Sequence, residues 1–226
     1  LPVSPVMRAA CGRNFSDLNA FAEKFGWETT DTSWEHLVER DDIDLIDVCT
    51  HNALHMPIAV AAAEAGKHVV CEKPIARNAR EARQMLEAAE GAGARHMVAF
   101  NYRRVPAIML AKKLIQDGKI GEIRHFNAVY YQDWLVDPES PFTWRHDAEK
   151  GGSGAHGDLN AHTVDLARYL LGEVEAVCAA QEPFITERPL PDGSGTGTVT
   201  VDDTMYFLAR FHDGALGSFV ATRFAT

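Results

Sequence analysis

Ile43-Asp44-Leu45-Ile46-Asp47-Val48-Cys49 and Val69-Val70-Cys71-Glu72-Lys73-Pro74 decide the fold. Each is a short run of β-branched and apolar residues that breaks into a polar turn. Between them, residues 58–65 follow a helical pattern that stops at Gly66. Short strands bounded by turns and separated by helices read as a parallel sheet with helices on both faces. The same rhythm extends outward in both directions. Upstream, residues 6–11 read as a strand and Ser16-Asp17 as a helix cap. Leu18, Phe21, Ala22 and Phe25 then recur at helical spacing until Gly26, and a short helix at 33–39 presents Trp34, Leu37 and Val38. Downstream, Ala82, Met85, Leu86 and Ala89 mark a helix over 79–92, and residues 97–100 read as a strand. Alternating strands and helices predict an α/β domain built on a Rossmann-like parallel sheet.

The pattern changes beyond a helix at 105–115, which stops at Asp117-Gly118. Residues 123–134, 174–181, 201–211 and 216–224 read as strands, and only 158–171 reads as a helix, ending at Gly172. Asp213-Gly214 is a hairpin signal between the last two strands. This predicts an α+β domain with a mainly antiparallel open sheet, the division falling at 1–120 and 121–226. Residues 205–211 are apolar on both faces, so one face needs a helix layer and the other a second cover such as a partner subunit. Residues 187–200 hold two prolines and three glycines and read as a mobile surface insertion.

The 226 residues are 46% hydrophobic and 24% charged, with a net charge of −10. That composition excludes a disordered or fibrous chain. The negative charge disfavours nucleic acid and anionic membranes as partners. Cys11, Cys49, Cys71 and Cys178 show no Cys-x-x-Cys spacing, so neither a zinc site nor a disulfide framework is expected, and reduced, buried thiols point to the cytoplasm. No secretory signal shows, and the apolar stretch at 57–63 is too short to span a bilayer. No Gly-x-Gly-x-x-Gly follows a strand, and Gly151-Gly152-Ser153-Gly154 stands in the wrong half for that role. The first domain reads as beginning with its second strand, and the chain as a piece of a larger protein or as lacking both ends.

Several residues have the chemistry of a site. Lys73 follows a strand of the parallel sheet, where ligands of such sheets bind, and a cis bond to Pro74 is plausible; the alternative is a surface lysine in a turn. Thr50, His51, Asn52 and His55 follow the preceding strand and either cap the next helix or bind a ligand. Asp158 and His162 are spaced i, i+4 on one helical face, so that the carboxylate can orient the imidazole as a general acid or base; the alternative is a cap beside a half-buried histidine. The glycines upstream would admit a ligand closely. Asn101-Tyr102-Arg103-Arg104 and Trp144-Arg145 mix aromatic and cationic groups that either stack on a ligand or pack domains together. His146, His156, Asp158 and His162 include metal-ligand types, but no second dense cluster supports a metal.

Taken together, Thr50-x-Asn52-x-x-His55, Glu72-Lys73-Pro74 and Asp158-x-x-x-His162 stand in an order that resembles the glucose–fructose oxidoreductase, inositol dehydrogenase and rhizopine-catabolism family (Gfo/Idh/MocA) along essentially the whole chain. The resemblance implies a dinucleotide-binding domain followed by an α+β domain whose open sheet makes homodimers or homotetramers. It implies Lys73, Asp158 and His162 as the catalytic set. It also implies a cofactor site that includes Gly12, Arg13, Thr50, Asn52, His55, Glu72, Lys73, Pro74, Asn101, Trp144 and Arg145, and a substrate site that includes Lys73, Tyr102, Arg103, Asp158 and His162. The implied activity is hydride transfer between a sugar, sugar derivative or cyclic polyol and NAD or NADP. The preferred base is His162, with Lys73 stabilising charge on the same oxygen. Arg13, at the end of the second strand where an acidic residue would bind a ribose hydroxyl, favours NADP. A non-catalytic NAD(P)-binding regulator on the same scaffold is the alternative, and a metal-dependent hydrolase a third class.

Overall fold

A computed structural model describes residues 4–225. The chain forms two compact units. Unit one takes the chain up to Thr50, Leu54–Glu72 and Ala79–Val98, and unit two takes His51–Ala53, Lys73–Asn78 and the chain from Ala99 onward.

Unit one contains five short strands and four helices. They are β1 (Ala9–Cys11), α1 (Phe15–Phe25), β2 (Thr29–Asp31), α2 (Trp34–Glu39), β3 (Leu45–Val48), α3 (His55–Glu64), β4 (His68–Cys71), α4 (Ala79–Gly91) and β5 (His96–Val98). All pairings are parallel, in a β1-β2 ladder and a β3-β4-β5 ladder. Ile46, Val48, Val69 and Cys71 are buried on one face, whereas Leu45 and Asp47 on the other face of β3 are exposed, so β3 is not covered on both faces as expected. The β2 strand was not expected, and β1 is shorter than predicted. Asn14, rather than Ser16-Asp17, caps α1: its side chain accepts from the Ser16 and Asp17 amides. The third helix starts three residues earlier than predicted because Pro57 lies in its first turn, where a missing amide leaves no bond unmade.

Unit two contains α5 (Pro106–Gln116), β6 (His125–Tyr131), α6 (Ala148–Gly151), α7 (Ala161–Leu171), β7 (Val174–Glu182), β8 (Glu187–Pro189), β9 (Thr196–Thr198), β10 (Thr204–Phe211) and β11 (Leu216–Thr222). The main sheet runs β6-β11-β10-β7, with β10 antiparallel to both neighbours and β6 parallel to β11. Residues 99–120, read above with the first domain, belong to this unit, where α5 packs on α7. One face of the sheet is filled by Phe207, Phe211 and Phe219 against Ala167 of α7, the Phe207 and Phe219 rings stacked at 4.3 Å. On the other face Val129, Tyr206 and Leu208 are exposed.

Two expectations fail here. Residues 187–200 are no loose insertion: β8 and β9 pair antiparallel, and Arg188 between them is completely buried. Its guanidinium donates to the carbonyls of Leu135 and Asp137 at 2.7 and 2.9 Å, anchoring the ribbon. The cysteines are free, but only Cys71 is buried. Burial pushes the Cys71 thiol up to about 12. No helix among the described residues is long and apolar enough to cross a membrane.

Phe219 is 1% exposed at the centre of the aromatic layer. Phe219→Ala is expected to lower stability by about 3–5 kcal/mol through lost burial and a residual cavity, read from urea unfolding followed by circular dichroism.

Candidate active site

Lys73, which follows β4, belongs to unit two. The Lys73–Pro74 peptide bond is cis. The Lys73 ammonium donates to Asp158 Oδ1 at 2.8 Å and to the Asp158 main-chain carbonyl at 2.9 Å. Asp158 lies in a π-helical turn, His156–Asn160, that runs into α7. An ordinary α-helical face was expected; the wider turn is held by Asp202, which the sequence reading passed over. Asp202 is buried, and its two carboxylate oxygens accept from the Gly154 and His156 amides, each at 2.8 Å. Its main-chain carbonyl accepts from Ala155 at 3.0 Å. A turn of this kind is uncommon and is concentrated at functional sites.

The glycines before Asp158, expected to admit a ligand closely, let the chain approach itself. A Cβ on Gly154 would collide with the Asp202 carbonyl, and one on Gly152 would meet the Arg77 backbone. Gly151 in turn gives its carbonyl to the Asn52 side-chain amide at 2.7 Å.

The second Asp158 oxygen, Oδ2, accepts from Arg223 at 3.2 Å. Burial alone would raise this carboxyl. Lys73 and Arg223 outweigh that effect and hold it below the usual carboxylate value. His162, one turn further along the helical segment, is buried with the Tyr102 ring stacked on it at 4.3 Å. The Tyr102 and Tyr130 hydroxyls are 3.1 Å apart. That bond, with burial next, pushes the Tyr130 hydroxyl up to about 12. Lys73, Asp158, Tyr102, Tyr130 and His162 thus share one unit, with Asp158 joined directly to Lys73 and His162 packed among the aromatics.

The other residues singled out from sequence are spread more widely. In unit one, Gly12 and exposed Arg13 follow β1, Thr50 lies beyond the end of β3, and the Glu72 amide donates to Val48 after β4. His55 is fully buried with a ring nitrogen 3.0 Å from the Thr50 carbonyl, so it holds that turn together. In unit two, Arg103 makes a two-pronged ion pair with buried Asp165 and lies over Tyr169. Arg145 stacks over Trp144 at 4.4 Å, and Asn101 is exposed at the start of a 3-10 turn. Among the described residues no three His, Cys, Asp or Glu side chains are grouped to hold a metal.

The sequence reading missed Tyr130, Asp202 and Arg223. Tyr130 was hidden inside an alternating strand. The one available signal for the other two was a charged residue flanking an apolar strand, Asp202-Asp203 before β10 and Arg223 after β11.

His146 stands apart from the ion pair but in the same buried electrostatic environment. It is 0% exposed, and its Nδ1 accepts the Thr143 amide at 2.9 Å. Burial, then the charges of Arg188 and Arg223, lower its value to about 4. A histidine depressed in the folded state contributes stability above its unfolded value, about 6.5, that is lost as pH falls through about 4. The melting temperature is therefore expected to fall between those limits, and less steeply in His146→Gln, as differential scanning calorimetry across that range would show.

Comparison with known proteins bears on both units. The profile described as "Oxidoreductase family, NAD-binding Rossmann fold" matches residues 6–100, and the GFO/IDH/MocA C-terminal domain profile matches residues 108–226. Levoglucosan dehydrogenase from Pseudarthrobacter phenanthrenivorans is 45% identical over 98% of this chain and 60% of its own length. Among solved structures, an oxidoreductase domain protein from Kribbella flavida superposes with a TM-score of 0.93 at 54% identity, over 98% of this chain and 60% of its own. A levoglucosan dehydrogenase complex with NADH and L-sorbose gives 0.95 at 47% identity, over 98% and 59%. The chain thus spans about 60% of the length of these relatives.

Proposed function

This chain belongs to the Gfo/Idh/MocA oxidoreductase family, and from that premise we propose that it acts in an NAD(P)-dependent dehydrogenase of a sugar, sugar derivative or cyclic polyol. The observation that carries this reading is the Lys73 ammonium held on Asp158 Oδ1 at 2.8 Å, with His162 on the same helical segment. The names of the relatives, levoglucosan dehydrogenase among them, support a sugar as substrate.

The donor set of unit one suits a dinucleotide. It offers a cation after β1, a hydroxyl after β3 and a carboxylate after β4, at the carboxyl ends of parallel strands where such ligands bind. Arg13, Thr50 and Glu72 would hold it. The nicotinamide ring, when bound, supplies the carbon that accepts or donates hydride. The chain's own groups handle the substrate oxygen. Lys73 Nζ, already a donor to Asp158, turns a hydrogen bond to that oxygen and stabilises its negative charge. The His162 imidazole takes the hydroxyl proton, its ring plane fixed by the Tyr102 stack. Asp158 keeps Lys73 aimed. Retention of all three groups supports an enzyme over a cofactor-binding regulator.

Three finer readings belong with this one. Exposed Arg13 suits a ribose 2′-phosphate and favours NADP, while the relative solved with NADH supports NAD. The exposed apolar face at Val129, Tyr206 and Leu208 supports a homodimer or homotetramer through the sheet. Free cysteines support a cytoplasmic location.

Lys73→Ala and His162→Ala are each expected to lower turnover by about 100-fold or more, the range for a positioned acid or base, while cofactor titration stays near the parent value. Steady-state kinetics over a panel of sugars and cyclic polyols tests this, and near-normal turnover in both variants would sink it. Arg13→Glu is expected to weaken NADPH binding by about 10-fold or more with little effect on NADH, the scale of a charge-assisted hydrogen bond. Nicotinamide fluorescence titration measures it, and equal loss for both cofactors would remove Arg13 from the phosphate.

A further inference from the structure

Arg223 follows β11 directly and is 1% exposed. Its NH2 group donates to Asp158 Oδ2 at 3.2 Å, and its guanidinium lies 5.2 Å from the Trp134 ring centroid. Among the described residues, its Nε and NH1 atoms are buried with no hydrogen-bond partner. A guanidinium that ties chain segments together spends both terminal nitrogens, as Arg188 does on the carbonyls of residues 135 and 137 with only its Nε left over, whereas Arg223 uses NH2 alone. Enclosing a charge with donors unused is unfavourable and is a poor source of stability. What Arg223 delivers is a permanent positive charge to one oxygen of one carboxylate.

We propose that Arg223 is the positioning residue of this site: a buried, permanently charged group that keeps Asp158 ionised and aimed, so that the carboxylate presents its other oxygen to Lys73. The assignment goes beyond the proposed dehydrogenase activity and, for its consequence on turnover, rests on it. Asp158 faces Lys73 from the turn after β4, Arg223 from the end of β11 and the Tyr130 hydroxyl from β6. Around Arg223 stand Arg188, His146 and Asp203, the last accepting the Arg223 amide through its main-chain carbonyl at 3.0 Å. Among these only Arg223 pairs an untitratable cation with Asp158. Lys73 must exchange hydrogen bonds with a substrate oxygen during turnover, whereas Arg223 is closed off and keeps its grip throughout.

The test reads Asp158 itself. Carbon-13 NMR of the aspartate carboxyls in the full chain, assigned with Asp158→Asn, follows its titration in the parent, Arg223→Met, Arg223→Lys and Lys73→Met. In Arg223→Met the Asp158 titration is expected to move to higher pH; in Arg223→Lys it stays near the parent; in Lys73→Met it remains below the ordinary carboxylate range. With an active sugar in hand, Arg223→Met should lower turnover at neutral pH by about 10-fold or more, the usual loss when a supporting partner is removed, and shift the acid limb of its pH profile upward. Arg223→Lys should recover both. An unchanged Asp158 titration in Arg223→Met would overturn the assignment. If that variant fails to fold, Lys73→Met decides: return of Asp158 to the ordinary range would show that Lys73 alone holds it. A titration that behaves as expected in a chain inactive on every sugar would leave the Arg223 assignment standing and remove the dehydrogenase reading.

Discussion

Asp202 gives both carboxylate oxygens to main-chain amides at the entrance to the π-helical turn, and its own carbonyl takes a third. A buried carboxylate is tolerable only when its lone pairs are met by donors, and helix-entry amides are donors without intrahelical partners. The two needs satisfy each other. The chain can come this close because residue 154 has no side chain. Once the entrance is fixed, the wide turn places Asp158 against Lys73, and α7 continues with His162 toward Tyr102 and its buried end against the aromatic layer of the sheet. One capped turn therefore connects the sheet core to the polar groups.

The electrostatics follow from how much charge is enclosed nearby. Arg188, Arg223, Asp202, Asp203 and His146 are all almost fully buried. The acids are met largely by amides, as when Asp203 Oδ2 accepts from Phe184 and Ile185. Arg188 is met by carbonyls, and His146 resolves the conflict by remaining neutral. Low local dielectric makes each such arrangement all-or-nothing. Asp158 differs in being only partly buried and ion-paired on both oxygens, the condition for a group that must stay charged beside solvent and ligand.

Much of the architecture was legible because its signals are local. The apolar run over 43–49, the stop at Gly172 and the Asp213-Gly214 turn each report on their own few residues, and β3, α7 and the β10–β11 hairpin form there. Lys73 and Asp158 could be singled out because strand-end position and helix spacing are also local. That Asp158 turns to Lys73 and Arg223 was not legible, because those partners lie 85 and 65 residues away. The paired strands β8 and β9 were hidden for the same reason: Pro and Gly describe the turn, while the buried arginine that anchors the ribbon depends on carbonyls near residue 137. Periodicity likewise could not reveal a π-helical turn, which a cap from a distant aspartate imposes.

Unit two is assembled from three separate stretches of chain, two of them short excursions from the first hundred residues. Its polar centre draws on Lys73 early in the sequence and on Arg223 near the end of the described chain. During synthesis Lys73 leaves the ribosome long before either Asp158 or Arg223 exists, and must wait for them. Local β-α-β pieces can form at once, whereas contacts of such long sequence separation close late and slowly. The pairing at this site is thus completed only once residues 158 and 223 have both been made, and a nascent chain interrupted before β11 would lack the arginine on the second oxygen of Asp158.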